Sequence, residues 1–225
     1  MSPTRRLPIG VMISGRGSNL QALIDACAEP AYPARIALVV SNVAAARGLE
    51  RARAAGIATR ILPHRDFATR AAFDAAVTAA FEDAGVEIIC MAGFMRLVTP
   101  EFVARWHDRL LNIHPSLLPA FRGLDTHARA LAAGVKVHGC TVHLVRSELD
   151  TGPILGQAAV PVLPADTPER LAARVLAAEH RLYPHCLRLF IEGRIRVAGE
   201  VVEIDSDVET VPTDRCLINP PLPKP

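Results

Sequence analysis

Short runs that are apolar at nearly every position alternate along this chain with stretches in which apolar residues recur every third or fourth place. Leu7–Ser14 (LPIGVMIS) reads as a strand. It enters Gly15-Arg16-Gly17-Ser18-Asn19, after which Leu20, Leu23, Ile24 and Cys27 have helical spacing. Arg35–Ser41 is a second strand, Ala44–Ala55 a helix with Gly56 behind it, and Ala58–Leu62 a third strand. Asp66 is placed to cap a helix running to about Ala84, striped by Phe67, Ala71, Phe73, Val77 and Phe81 and ended by Gly85. Val86–Ala92 is strand four and Pro100–Trp106 a short helix. A fifth strand starts at Leu110 and is cut off by Pro115, and Thr126–Ala133 is a helix closed by Gly134. Continuous apolar strands interleaved with amphipathic helices predict a parallel sheet covered on both faces.

The rhythm changes after residue 135. Cys140–Val145 and Ile154–Val160 are joined by the polar stretch Arg146–Pro153 with no helix between, and they should pair antiparallel. Thr167-Pro168-Glu169 starts a long helix towards Gly193, with a kink expected near Pro184. From Glu200 the chain turns acidic (EVVEIDSDVE), which predicts one more short strand and then a Pro-rich tail. The expected fold is α/β, a Rossmann-like three-layer sandwich whose N-terminal sheet is parallel and gains antiparallel strands in the C-terminal half. One domain should span residues 7–200, with halves of about 7–106 and 107–200, followed by a tail over 201–225.

Composition narrows the ligand. The 225 residues are 50% hydrophobic and 21% charged, and 25 Lys plus Arg against 23 Asp plus Glu leave a net charge of +2. Nothing in that balance asks for nucleic acid or a membrane surface. Cys27, Cys90, Cys140, Cys186 and Cys216 are dispersed and never form a Cys-x-x-Cys pair, which argues against disulfides and zinc and fits a reducing, cytoplasmic location. The first apolar run contains Pro8 and leads into a glycine turn instead of a cleavage site. No stretch approaches the roughly 18–20 apolar residues that cross a bilayer. A small molecule is the expected partner.

Three constellations could carry chemistry. In Gly15–Asn19 the glycines let backbone N–H groups approach an anion at a helix N-terminus, so a phosphate-bearing ligand is one reading and an ordinary capped turn the other. A dinucleotide fits less well, because Leu20 replaces the third glycine of G-x-G-x-x-G and strand two ends in Ser41-Asn42 where an acid would be wanted. Asn112 and His114 share one face at a strand exit and could hold an oxygen that gains negative charge during acyl transfer. Asp150, in SELDTGP, would favour the imidazolium form of His114 and fix its ring if the fold brings them together; otherwise it is a turn residue. Of the other histidines, His107, His127, His180 and His185 read as surface groups, His64 as a loop residue and His138 as preceding a glycine turn. His143 could support the site from behind. No His, Cys or carboxylate cluster has metal-ligand spacing.

These constellations resemble, in order and spacing, the phosphoribosylglycinamide formyltransferases, a folate-dependent family of purine synthesis. The likeness runs from about Ile9 to Val197 through SGRGSNLQALIDA (14–26), SNVAAARGLERARAAGI (41–57), AGFMRLV (92–98), LLNIHPSLLP (110–119), GCTVHLV (139–145), ELDTGPIL (148–155) and AEHRLYP (178–184). The resemblance implies the formyltransferase fold, with phosphate bound in the N-terminal half and folate and catalysis in the C-terminal half. It implies 10-formyltetrahydrofolate as co-substrate, no metal, phosphoribosylglycinamide as acceptor, and a monomer or homodimer. It assigns Asn112, His114 and Asp150 to catalysis, and Gly17, Ser18, Asn19 and Glu179 to the phosphoribosyl substrate. Arg70, Met95, Arg96, Leu97 and Val98 fall at the folate site, with Asn112 and the loop Arg146, Ser147, Glu148, Leu149 and Asp150. Arg16, Leu176 and Ala120-Phe121-Arg122 depart from the commoner pattern. Formyltetrahydrofolate hydrolases and methionyl-tRNA formyltransferases share the Asn, His and Asp arrangement, but the resemblance to them implies an extra N-terminal regulatory domain or a C-terminal barrel with basic surface, neither of which is expected at this chain length. A non-catalytic nucleotide- or folate-binding module is the reading from a different class.

Overall fold

The computed structural model describes residues 6–208 and Leu217. Its elements follow the sequence rhythm: β1 Leu7–Ile13, α1 Ser18–Ala28, β2 Ala34–Ser41, α2 Gly48–Ala54, β3 Thr59–Ile61, α3 Arg70–Asp83, β4 Ile88–Met91, α4 Pro100–Arg105 and β5 Leu110–His114. The second half contributes α5 Thr126–Ala132, β6 Val137–Leu144, β7 Ile154–Pro161, α6 Pro168–Ile191, β8 Ile195–Ala198 and β9 Val201–Ile204. The main sheet has seven strands in the order β3-β2-β1-β4-β5-β6-β7. Strands β1 to β5 are parallel, whereas β6 and β7 join antiparallel.

Alternation along the strands builds a core on each face. Ile9, Val11 and Ile13 of β1 point to one side with Leu20, Leu23, Leu111, Tyr183 and Leu187, beneath α1 and α6. Met12 points to the other with Phe73, Val77, Phe81, Phe102 and Trp106, beneath α3 and α4. The chain order reverses between β1 and β4, so the crevice outside their carboxyl ends is where an open α/β sheet receives a ligand. The loops leaving β1, β4 and β5 all open there.

Several boundaries differ from the sequence reading. Helix α3 starts at Arg70 and is capped by Thr69, whose Oγ1 accepts from Ala72 N at 3.1 Å, because Asp66 is taken up in a short 3-10 turn over His64–Asp66. Phe67 therefore lies outside the helix and packs edge-on against Phe73, and Ala71 is exposed. Helix α2 starts at Gly48, not Ala44, with Gly48 N bonded to Gly15 O. Strand β6 begins at Val137, so His138 is buried within a strand and does not precede a turn. Helix α6 carries Pro184 within it, as the sequence reading places it. The strand expected after Glu200 is β9, and it pairs with β8, which the sequence reading missed. Val202 and Val208 pack on the core, so this hairpin belongs to the globular body. Cys216 and the Pro-rich end fall outside the described residues.

Candidate active site

Strand β5 leads its polar residues out of the core. Asn112 and His114 follow Leu110 on one face, and the chain turns away at Pro115. His114 is 6% exposed, with Nδ1 3.4 Å from Asp150 Oδ2 and Nε2 3.1 Å from the Phe121 carbonyl, to which it donates. Asp150 has a left-handed backbone (φ 51°), and its Oδ2 also accepts from Gly123 N at 2.7 Å. Because β6 runs antiparallel to β5, with Leu144 opposite Leu111, the connection after β6 has to fold back over the sheet to bring Asp150 to His114.

His143 stands opposite Asn112 on β6, and its Nε2 lies 3.2 Å from Asn112 Nδ2. Its Nδ1 faces two carbonyls, Leu144 O at 2.9 Å and Thr151 O at 3.2 Å, and so carries the ring proton. Nε2 must then accept from the Asn112 amide. Burial pushes the His143 pKa down, which keeps it a neutral acceptor. Asn112 is thereby oriented, with its second N–H left for another partner. His127 and His138 stack edge to face at 5.4 Å behind His114. His127 is half-buried, contrary to the surface position expected. Its Nδ1 and His138 Nε2 have no hydrogen-bond partner among the described residues, and burial lowers the His138 pKa to about 4.

The glycine loop has the geometry of an anion cradle. Gly17 is left-handed (φ 70°) and no side chain caps α1. A Cβ on Gly17 would come 2.5 Å from Gly48 Cα, so only glycine permits this approach. Asn19 Nδ2 donates to Glu179 Oε2 at 2.7 Å, bringing together two residues assigned to one substrate. Burial raises the Glu179 pKa, partly offset by that bond. Ser14 Oγ donates to Asn42 Oδ1 and accepts from Met95 N at 2.8 Å, tying the exits of β1, β2 and β4 together.

The residues assigned to folate divide into two groups. Arg96 lies over the Phe73 ring at 5.3 Å, and Asp74, which accepts from Thr99 N, has both Arg96 and Arg70 as charged neighbours. Met95 and Leu97 are exposed, as are Leu124 and Leu149 on the loops beside Asp150. That uncovered apolar surface suits an aromatic ligand. Ser147 and Glu148 are exposed as well. The Arg146 guanidinium instead points away to Asp108 at 2.8 Å and Glu200 at 3.1 Å. Sequence reasoning missed Phe121 O, Gly123 N and Thr151 O, since backbone groups leave no residue-type signal. A groove of about 690 Å³ between β7 and α6 contains none of the predicted residues. Among the described residues no group of three or more His, Cys, Asp or Glu could hold a metal, and no helix is long and apolar enough to cross a membrane.

Known proteins share this architecture. Residues 7–187 match the formyl transferase family. The chain is 43% identical over 197 residues to the phosphoribosylglycinamide formyltransferase of Haemophilus influenzae, covering 88% of this chain and 93% of that one. It is 48% identical over 205 residues to the trifunctional purine biosynthetic protein adenosine-3 of Bos taurus, of whose length it spans only 20% against 90% of its own. The crystal structure of glycinamide ribonucleotide transformylase 1 from Symbiobacterium toebii superposes with a TM-score of 0.87 at 51% identity, over 89% of this chain and 95% of that one.

Proposed function

The chain belongs to the formyl transferase family, and on that premise we propose that it transfers the formyl group of 10-formyltetrahydrofolate to the amine of 5-phosphoribosylglycinamide, in purine biosynthesis. The products are formylglycinamide ribonucleotide and tetrahydrofolate. The observation that carries this reading is the His114–Asp150 pair, 3.4 Å apart, beside an oriented Asn112. It lies in the crevice that also receives the glycine loop and the exposed apolar side chains Met95, Leu97 and Leu149.

The residues fit both substrates. Gly17, Ser18 and Asn19 hold the phosphate through amides at the start of α1, and Glu179 takes a ribose hydroxyl. Arg70, Met95, Arg96, Leu97 and Val98 line the folate site with Asn112 and the loop Arg146, Ser147, Glu148, Leu149 and Asp150. With its guanidinium paired to Asp108 and Glu200, Arg146 serves the loop through its backbone. Bound folate supplies the electrophilic formyl carbon. Asn112 donates its free amide N–H to the formyl oxygen as that oxygen gains charge. His114 adds Nε2–H, because an oxygen acquiring negative charge outcompetes the neutral Phe121 carbonyl for it. Asp150 holds Nδ1 and relays the amine proton towards the leaving folate nitrogen through water. Attack is direct. Cys27, Cys90, Cys140 and Cys186 are buried with thiols pushed up to about 12, which makes them poor nucleophiles.

In this reading the catalytic unit starts at residue 7 and takes in the β8–β9 hairpin beyond residue 200. The phosphate loop lies in the first half (about 7–106), which also lends Arg70 and Met95–Val98 to the folate site. The catalytic trio and folate loop lie in the second (from about 107), which lends Glu179 to the phosphoribosyl substrate. The unit acts in the cytoplasm on small molecules, as a monomer or homodimer, without metal. Incubation with both substrates decides the matter: they should disappear one for one. Loss of the folate alone would mean a hydrolase, and loss of neither a binding module. Asp150→Asn should cut turnover at least about a hundredfold while the KM for phosphoribosylglycinamide changes little. Undiminished turnover would remove Asp150 from the mechanism.

A further inference from the structure

The glycine loop is held open from outside, by α2. A backbone cradle binds an anion only if its N–H groups face the ligand and its carbonyl dipoles point elsewhere. Here the two carbonyls that precede the cradle are both drawn to α2. Gly15 O accepts from Gly48 N at 3.0 Å, and Arg16 O accepts from Arg51 Nε at 3.0 Å. The Arg51 side chain runs along Gly17, with Cδ 3.6 Å from where a Cβ on that glycine would sit, and its Nη1 donates to Gln21 Oε1 in α1 at 3.1 Å. One guanidinium therefore spans the loop and the first turn of the helix behind it. The first backbone bond of α1 runs from Gln21 N to Gly17 O, and no side chain caps the amides ahead of it.

We propose that Arg51 is a positioning residue of the phosphate site. It turns the Arg16 carbonyl away from the ligand, locks the loop against α1, and places a permanent positive charge beside the phosphoryl group. The proposal rests on the glycine loop being the phosphate site and adds to it a residue from another element. Arg51 is exposed and joins no apolar cluster, so its replacement leaves the core intact.

The test compares Arg51→Ala, Arg51→Gln and Arg51→Lys with the unaltered protein in steady-state assays. The acceptors are phosphoribosylglycinamide and the nonphosphorylated glycinamide riboside. Arg51→Ala should raise the KM for the phosphorylated acceptor about tenfold, the effect of removing one water-screened cation from beside a phosphate. Its kcat, its KM for 10-formyltetrahydrofolate and its kcat/KM with the riboside should stay within about twofold. Arg51→Lys keeps the charge and should recover part of the loss, whereas Arg51→Gln should resemble alanine. Two results overturn the proposal: an unchanged KM for the phosphorylated acceptor, or an equal loss with the riboside and the folate, which would mark a merely structural residue. Should Arg51→Ala fail to fold, the Gln and Lys pair supplies the same comparison. If the unaltered protein itself uses ribotide and riboside equally well, the phosphate assignment of the loop fails. If it discriminates and Arg51→Ala discriminates as strongly, only the role of Arg51 fails.

Discussion

At the scale of single residues, the candidate site depends on histidines that do different work. His114 faces Asp150, while His143 is a buried acceptor that orients Asn112. Replacing His143 by leucine frees the Asn112 amide to rotate, and kcat should fall at least about tenfold with both KM values nearly unchanged, since small misplacements of a reacting group are costly. His143→Gln, which can still offer an oxygen, should recover part of that loss. An unaltered kcat in the leucine variant would show that Asn112 needs no such support. His138 bears on stability instead, because burial lowers its pKa from the usual 6.5 to about 4. Above pH 6.5 neither folded nor unfolded chain protonates it. Between 6.5 and 4 the unfolded chain binds a proton that the native one does not, so stability falls as the pH is lowered through that window. In His138→Gln the melting temperature should fall less steeply there, and an unchanged slope would exclude His138 as a cause.

At the scale of elements, the apolar periods were legible and the boundaries less so. Asp66 and Thr69 are both good capping residues ahead of one apolar stripe, and local sequence does not choose between them. The choice falls to packing: Phe67 turns back onto Phe73, which places Asp66 in a 3-10 turn and leaves the cap to Thr69. Thr69→Ala should cost about 1 kcal/mol in denaturant unfolding, and Asp66→Ala much less. Equal costs would contradict the assignment. The β8–β9 hairpin was half seen, because Ile195–Ala198 follows a long helix directly and mixes arginine with apolar residues. Its partner strand is largely exposed, so neither one carries a strong period-two signal.

At the scale of the molecule, that hairpin reaches the site. Its turn residue Glu200 pairs with Arg146, which also pairs with Asp108 and opens the loop that carries Asp150. Arg146 is largely buried and Glu200 exposed, so the two ends of the brace differ in weight. Arg146→Ala should raise the folate KM several-fold by loosening the loop. Glu200→Gln should do less than twofold, since exposed ion pairs contribute about 0–1 kcal/mol. Steady-state kinetics at low and high salt would test this, and a larger effect from Glu200 than from Arg146 would refute it.

Apolar periodicity alone implied a sheet between two helix layers, because a strand buried on both faces has to be apolar at every position. The glycine loop and the Asn112–His114 pair were equally visible, since unusual backbone and paired polar groups at a strand exit are written locally. The resemblance then supplied names for the residues. What only the tertiary structure decided is proximity. Asp150 reaches His114 because the loop after β6 folds back over the sheet, and His143 meets Asn112 because two antiparallel strands share a register. Arg51 comes beneath the Arg16 carbonyl because Gly17 and Gly48 let two backbones touch. Such contacts join positions far apart in the chain, where no local propensity acts.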